Sequence, residues 1–422
     1  MDQDRHERLV GFRRDLHRYP EPAWCEFYTT SRIVEEVERI GVDELRVGPE
    51  ILDGDARMAV PDEEVLTEWH ERAREAGARE DVLDACAGGY TGALATLERG
   101  DGPTVALRVD IDALPITESE EITHAPADAG FRSANGGYMH ACGHDAHATI
   151  GIGVLEAVAE SDFSGTFHVL FQPAEEVIGG GKAVAESGVL DDVDRFFAVH
   201  IGLDHPTGEI VAGVGGFLAV RQFEATFTGE SAHAGGHPAQ GRDAVQALAT
   251  AVQNLHAIRR HGEGDTRINT GVVEGGTATN IVPESARIEG EVRGETTHLK
   301  EYMSERADTV VEHAAKMHDC ESSIETTAEA PSAESDAELA DVVYAAAGET
   351  TGVDSRLHSA ELGGSEDATY LMDRVQRHGG LATFVGVGTD HPGGHHTPTF
   401  DVDERSLAIG IETLVGAVSR LG

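Results

Sequence analysis

Thr104-Val105-Ala106-Leu107-Arg108-Val109-Asp110-Ile111-Asp112 is a continuous apolar run, broken only by Arg108, that ends on two acids. A run that is apolar at nearly every position, rather than at every second one, suits a strand covered on both faces. That is the habit of parallel sheets flanked by helices. Two further stretches repeat the arrangement. Residues 166–171 lead into Gln172-Pro173-Ala174-Glu175-Glu176, and residues 195–199 lead into His200. Each run delivers polar residues at its C-terminal end, and helical segments at 146–160 and 181–187 lie between them. This predicts a parallel α/β sheet with its site in the crevice beyond the strand ends.

Upstream, residues 4–40 read as two helices. The second, 29–40, carries Ile33, Val34, Val37 and Ile40 at helical spacing and stops at Gly41. The stretch 54–77 has the character of an inserted element: Ala56-Arg57-Met58-Ala59-Val60-Pro61-Asp62 precedes an acidic helix at 63–76 with Val65, Leu66 and Trp69. From Phe217 the rhythm changes. Strands at 220–228, 267–274, 285–293 and 320–327 and helices at 242–258 and 298–318 occur in the order β-α-β-β-α-β, which is ferredoxin-like. After Pro331 the first pattern resumes with a helix at 335–347, a loop Gly363-Gly364-Ser365-Glu366-Asp367, a strand at 382–387 and a helix at 404–419. The expected architecture is α/β: a first domain (1–215 and 331–422) with a mainly parallel sheet flanked by helices. An α+β domain (216–330) is inserted into it.

The densest chemistry lies in Met139-His140-Ala141-Cys142-Gly143-His144-Asp145-Ala146-His147, at the start of a helix. Cys142 and His144 are two apart across a glycine, so a tight turn can face both at one point. A thiolate and an imidazole suit borderline or soft divalent ions, but one turn cannot close a coordination sphere. Glu176, His200 and the pair His395-His396 supply further ligands, enough for two adjacent ions, and Glu175 is a neighbouring carboxylate available as a base. Taken singly, each has a plainer reading: a solvated turn, a core histidine, a flexible loop.

Composition narrows the class. The formal net charge is −44, from 76 acidic and 32 basic residues, and Lys stands only at 182, 300 and 316. Such a chain repels nucleic acid and anionic membrane surfaces. An excess this large and evenly spread is tolerable where salt screens it, the Debye length falling to about 3 Å near 1 M, which implies a salt-rich, halophilic cytoplasm. Cysteines at 25, 86, 142 and 320 form no Cys-x-x-Cys pair, as expected in a reducing compartment. The first residues lack an apolar signal region, and no run approaches the roughly 18 apolar residues of a membrane span.

The blocks Arg108-Val-Asp110-Ile-Asp112-Ala-Leu-Pro115, Met139-His-Ala-Cys142-Gly-His144-Asp145, Phe171-Gln-Pro-Ala-Glu175-Glu176, Ala198-Val-His200-Ile and Ser231-Ala-His233-Ala resemble the M20 metallopeptidase family. Gly275-Gly-Thr-Ala-Thr-Asn280-Ile-Val-Pro283, Gly364-Ser-Glu-Asp367 and His396-Thr-Pro-Thr-Phe400 extend the resemblance to its amidohydrolase branch acting on N-acyl amino acids. Within that branch, residues 56–62 with the following helix, and 191–202, are similar to the A-type group of aminobenzoyl-glutamate hydrolases. The resemblance implies metal ligation of two divalent ions (Mn or Zn, with Co as a further candidate) by Cys142, His144, Glu176, His200 and His396. His395 then lies behind the ligands or on the substrate side. Asp110 and Asp112 are implied to orient the imidazoles, Glu175 to carry the proton, and His233 to stabilise the oxyanion. In relatives this histidine reaches the active site of the other protomer, which implies a homodimer. Asn280 and Arg293 are implied to hold the substrate's carboxylate end. The A-type similarity implies a further partner, a related B-type subunit. Hydrolysis of N-carbamoyl or peptide substrates, and a non-catalytic binding protein on the same fold, stay open as alternatives.

Overall fold

The computed structural model describes residues 2–422. The chain forms two compact units. One comprises 1–216, 333–362 and 367–422 and the other 217–332 with 363–366, residue 1 lying outside the described residues.

The first unit is built on an eight-stranded sheet. In spatial order its strands are Glu44–Val47, Ala93–Glu98, Thr166–Gln172, Thr104–Asp110, Arg195–Ile201, Leu381–Val387, Glu209–Val211 and Ser355–Leu357. Thr104–Asp110 runs parallel to Thr166–Gln172 and to Arg195–Ile201, which is parallel in turn to Leu381–Val387. The apolar runs therefore form the centre of the sheet, as their lack of alternation requires. Antiparallel pairing occurs toward the edges: Glu44–Val47 with Ala93–Glu98, Ala93–Glu98 with Thr166–Gln172, and Glu209–Val211 with Leu381–Val387.

The helix His144–Ala159 lies against the central strands and is buried along nearly its whole length. It is apolar all round because it also packs on Gln3–Arg18, Phe27–Ile40 and Arg405–Val418. Gly151 permits the approach to the sheet. A Cβ there would stand 3.0 Å from side-chain carbons of both Phe171 and Val109. The inserted stretch forms the helix Glu63–Ala76, closed by Gly77 in the left-handed region at φ 101°. Its Trp69 meets Tyr138, just upstream of the Cys142 turn, edge-on at 4.9 Å.

The second unit has a four-stranded antiparallel sheet in the order Glu321–Ala330, Ala219–Thr228, Ser285–Gly294, Thr266–Gly275, with the helices Ala244–His256 and Thr297–Met317 packed on it. In chain order this is 4-1-3-2, the ferredoxin-like arrangement. Phe223, Ala225 and Phe227 alternate into the core they share with Leu248, Ile288, Met303 and Val311.

Some features were not predicted. The strand Ala93–Glu98 and the helix Glu80–Ala85 are short and carry no strong sequence signal, whereas the helix Ala368–Arg377 has one in Leu371, Met372 and Val375, buried at helical spacing. Val214–Gly215, in the glycine-rich stretch 213–216, pairs with Ala360–Glu361. Residues 363–366 group with the second unit because Leu218 donates its N–H to the Gly364 carbonyl at 2.7 Å and accepts the Ser365 hydroxyl at 2.7 Å. Among the described residues no helix is long and apolar enough to cross a membrane.

Candidate metal centre

The turn before the long helix depends on Gly143. Its φ of 85° is left-handed, and a Cβ there would stand 2.6 Å from Ile201 Cγ2. With no side chain at 143, the thiol of Cys142 and the ring of His144 converge beyond the sheet. His200 arrives as the penultimate residue of Arg195–Ile201. His396 arrives on a loop whose Gly393, Gly394 and His396 all have positive φ, tied down by the bond from His396 N–H to the Ala141 carbonyl at 2.8 Å.

The result is two overlapping triads that share Cys142. Ligand atoms of Cys142, His144 and His200 lie within 4.8 Å of one another, and so do those of Cys142, Glu176 and His396. Glu175 forms a third such group with His144 and Glu176. All six residues belong to the first unit. Cys142 Sγ is 3.4 Å from His200 Nε2, and His144 Nε2 is 3.7 Å from Glu176 Oε1.

Neighbouring groups set the tautomers. His200 donates Nδ1–H to the Ile201 carbonyl at 2.7 Å, which leaves Nε2 as a bare lone pair toward Cys142. Burial, reinforced by the rings of His147 and His395, holds His200 well below its ordinary pKa, in the neutral form that a metal takes. His144 Nδ1 faces Asp112 Oδ1 at 3.2 Å, and its buried Nε2 makes no hydrogen bond among the described residues. An imidazole held by a carboxylate at one nitrogen, with the other directed at a thiol and acids, has the arrangement of a metal ligand. Burial opposes charge on His144, but Asp110, Asp112 and Glu176 outweigh it and push the ring up to about 10. The pocket thus carries an excess of negative charge that a divalent cation would neutralise. The donor set fits such ions: thiolate and imidazole with carboxylate, at a site with an orphaned ring nitrogen.

Asp110 and Asp112 occupy the place expected of them at the end of Thr104–Asp110. Asp112 joins two elements, facing His144 with one oxygen and accepting the Glu176 N–H at 2.9 Å with the other. Asp110 is paired with Arg108 at 2.8 Å and with His147 Nδ1. Burial alone would raise its pKa, but His144, His147 and Arg108 hold it well below the carboxylate range.

Several residues here escaped sequence reasoning. His147 accepts the Ile201 N–H at Nε2, at 2.7 Å, and donates Nδ1–H to Asp110, so both nitrogens are engaged and it is a brace rather than a ligand. Its spacing of three from His144 was the available signal. His395, by contrast, was expected behind the ligands or on the substrate side; it accepts the Leu203 N–H at 3.1 Å through Nε2, while Nδ1 lies 3.6 Å from Cys142 Sγ. Arg108, Gln172 and Asp367 form a buried network beneath the site, with Arg108 Nε to Gln172 Oε1 at 2.8 Å and Gln172 Nε2 to Asp367 Oδ1 at 2.8 Å. Asp367 also receives the N–H of Gly181 at 2.7 Å.

The remaining candidates lie in the second unit. His233 is exposed, and its Nδ1 accepts the N–H groups of Gly235 and Gly236 at 3.1 and 3.0 Å, which puts the ring proton on Nε2 as a donor. Its strand bridge to Ile281 brings Asn280, also exposed, onto the neighbouring segment. Arg293 does not present an open fork: Glu291 takes it through two bonds of 2.9 and 3.0 Å.

Comparison with known proteins bears on this geometry. The profile of peptidase family M20/M25/M40 matches residues 106–420. The chain belongs to this family. It is 43% identical to indole-3-acetyl-aspartic acid hydrolase of Enterobacter agglomerans, over 96% of this chain and 94% of that protein. With the A-type chain of p-aminobenzoyl-glutamate hydrolase from Escherichia coli the identity is 42%, over 96% and 94%. Among solved structures, an aminobenzoyl-glutamate utilization protein from Klebsiella pneumoniae superposes with a TM-score of 0.83 at 35% identity, covering 98% of this chain and 95% of that one. A dinuclear metal binding peptidase of the M20 family from Bacillus subtilis does so with a TM-score of 0.72 at 26% identity, covering 100% and 99%. Like these relatives, which match it over nearly their whole length, this M20 chain is an amidohydrolase.

Proposed function

We propose that this enzyme hydrolyses the amide bond of an N-acyl amino acid with a free carboxylate, p-aminobenzoyl-glutamate and indole-3-acetyl-aspartate being the substrates to test first. The observation that carries the reading is the pair of triads sharing Cys142, with the carboxylate of Glu175 beside them and outside both. Cys142, His144, Glu176, His200 and His396 hold two divalent ions, Mn or Zn and, as a further candidate, Co. When bound, such ions polarise water and the scissile carbonyl. Glu175 takes the proton from the attacking water and returns it to the leaving amine, acting as base and then as acid. Asp112 keeps the His144 ring aligned, and Asp110 does the same through His147. His233, its proton on Nε2, donates to the developing oxyanion. Asn280 and Arg293 receive the substrate's carboxylate, which requires Arg293 to exchange its pairing with Glu291.

The second unit serves as lid and dimerisation domain of a homodimer, and a related B-type subunit is a further partner. The dispersed acidic surface suits a salt-rich cytoplasm. The test is a screen of p-aminobenzoyl-glutamate, indole-3-acetyl-aspartate, N-acetyl, N-benzoyl and N-carbamoyl amino acids and dipeptides, run with added Mn²⁺, Zn²⁺ or Co²⁺ in molar KCl. Turnover confined to N-acyl amino acids supports the reading. Turnover confined to dipeptides or N-carbamoyl compounds replaces it. Sedimentation of the enzyme in the same salt tests the dimer.

A further inference from the structure

Glu26 stands at the N-cap of the helix Phe27–Ile40, yet its side chain makes no capping bond. Glu21 caps this helix instead, accepting the N–H groups of Tyr28 and Thr29 at 2.8 Å each. Glu26 is thereby released to turn toward the loop that follows Thr166–Gln172. It is fully buried. One carboxyl oxygen accepts the Ala174 N–H at 2.8 Å, and the other accepts the Thr91 hydroxyl at 2.6 Å. Burial, and then the nearby Asp112, push its pKa well above the ordinary carboxylate value. Packing alone does not account for a carboxyl group in such a place.

The loop it holds is strained. Ala174 has φ 58° and Ile178 φ 54°, both left-handed and neither a glycine. Such residues persist only where their surroundings over-determine them, and they cluster at functional sites. Here the surroundings are two buried acids placed on either side of Glu175. Glu26 takes the N–H of Ala174, the residue before it, and Asp112 takes the N–H of Glu176, the residue after it.

We propose that Glu26 is a positioning residue for the hydrolysis: by accepting the Ala174 N–H it holds the left-handed turn that aims the Glu175 carboxylate. The inference rests on the assignment of Glu175 as proton carrier. Because the Glu176 backbone is held separately by Asp112, losing Glu26 displaces Glu175 more than the metal ligand beside it. The effect therefore falls on turnover before metal content.

The experiment compares Glu26→Ala, Glu26→Gln and Glu175→Gln in the metal-loaded enzyme, with p-aminobenzoyl-glutamate and indole-3-acetyl-aspartate as substrates. It measures kcat, KM, metal content and melting temperature. Glu26→Ala is expected to lower kcat at least tenfold with KM and metal content unchanged. Glu26→Gln keeps an acceptor for Ala174, and its amide can donate to the Thr91 hydroxyl, so most of the kcat returns. Should Glu26→Ala not fold, Glu26→Asp carries the test, because a side chain one methylene shorter cannot hold Ala174 and Thr91 together. Its kcat is expected to fall as well. Normal kcat in the Ala or Asp variant overturns the proposal. So does a Gln variant as impaired as Ala, or a metal loss that parallels the loss of kcat. If Glu175→Gln keeps its turnover, the assignment of Glu175 fails and this inference fails with it. A normal Glu26→Ala beside an inactive Glu175→Gln removes this inference alone.

Discussion

In the larger sheet the strand Thr104–Asp110 is buried without a break from Val105 to Asp110, and the charges it carries lie between covered faces. In the smaller sheet the strand Ala219–Thr228 alternates: Phe223, Ala225 and Phe227 are buried, while Gln222, Glu224 and Thr226 between them are partly open. The consequence is electrostatic. Arg108 and Asp110, both fully buried, must be paired, and the groups around them titrate far from their ordinary values. Arg287 in the smaller sheet pairs with Glu224 and Glu274 on a partly solvated face, where such contacts contribute little. The covered sheet can hold a metal centre in low dielectric. The half-open one offers residues that can change partners, as the reading of Arg293 requires.

Five perturbations break or sharpen this contrast, from the strongest effect down. Cys142→Ala should remove metal and activity together, because a ligand is lost. Cys320→Ala, at a buried thiol in the second unit's core, should leave metal content unchanged, with elemental analysis as the check. Phe171→Ala, in the covered sheet, should cost about 3–5 kcal/mol by denaturant unfolding, whereas Val273→Ala, 54% exposed on the second sheet's outer strand, should stay within about 0.5 kcal/mol. Equal costs would mean that the two sheets are not differently buried in solution.

Glu175→Gln should retain both metals and lower kcat by about 10²-fold, some 2.7 kcal/mol of transition-state stabilisation. Glu176→Gln should lose metal first. Should the two variants behave alike, the division of roles between these neighbours falls. Arg293→Ala should raise KM about tenfold with little change in kcat, the scale of one charge-assisted contact. An unaltered KM would leave Arg293 as the strand ion pair with Glu291. The smallest effect is expected from salt. The melting temperature should rise by a few degrees between 0.1 and 2 M KCl as self-repulsion is screened, and a flat or falling curve by calorimetry would remove the halophilic reading.

Both strand periods and the β-α-β-β-α-β order were legible in the chain, because burial on one face or two is written into which consecutive residues are apolar, a local property. The convergence of Cys142, His144, Glu176 and His200 could be anticipated for a related reason, whereas the choice of His396 over His395 came from the resemblance of the His396-Thr-Pro-Thr-Phe400 block. Each of the first four lies at or just beyond the end of a recognisable element, and parallel strands bring such ends together.

Hydrogen-bond assignment could not be read this way. Nothing local distinguishes Glu21, which caps a helix, from Glu26, which holds a strained turn 148 residues away in sequence. Nor does it distinguish His144, whose Nε2 makes no hydrogen bond among the described residues, from His147, whose two nitrogens are both engaged. The pairing of Arg293 with Glu291, and the placement of 363–366 with the second unit through Leu218, were equally hidden. The chain's own pattern determined which residues would be buried and which element ends would meet. Tertiary structure alone decided which donor each buried acceptor receives, because a hydrogen bond depends on distances of a few tenths of an ångström between groups far apart in sequence.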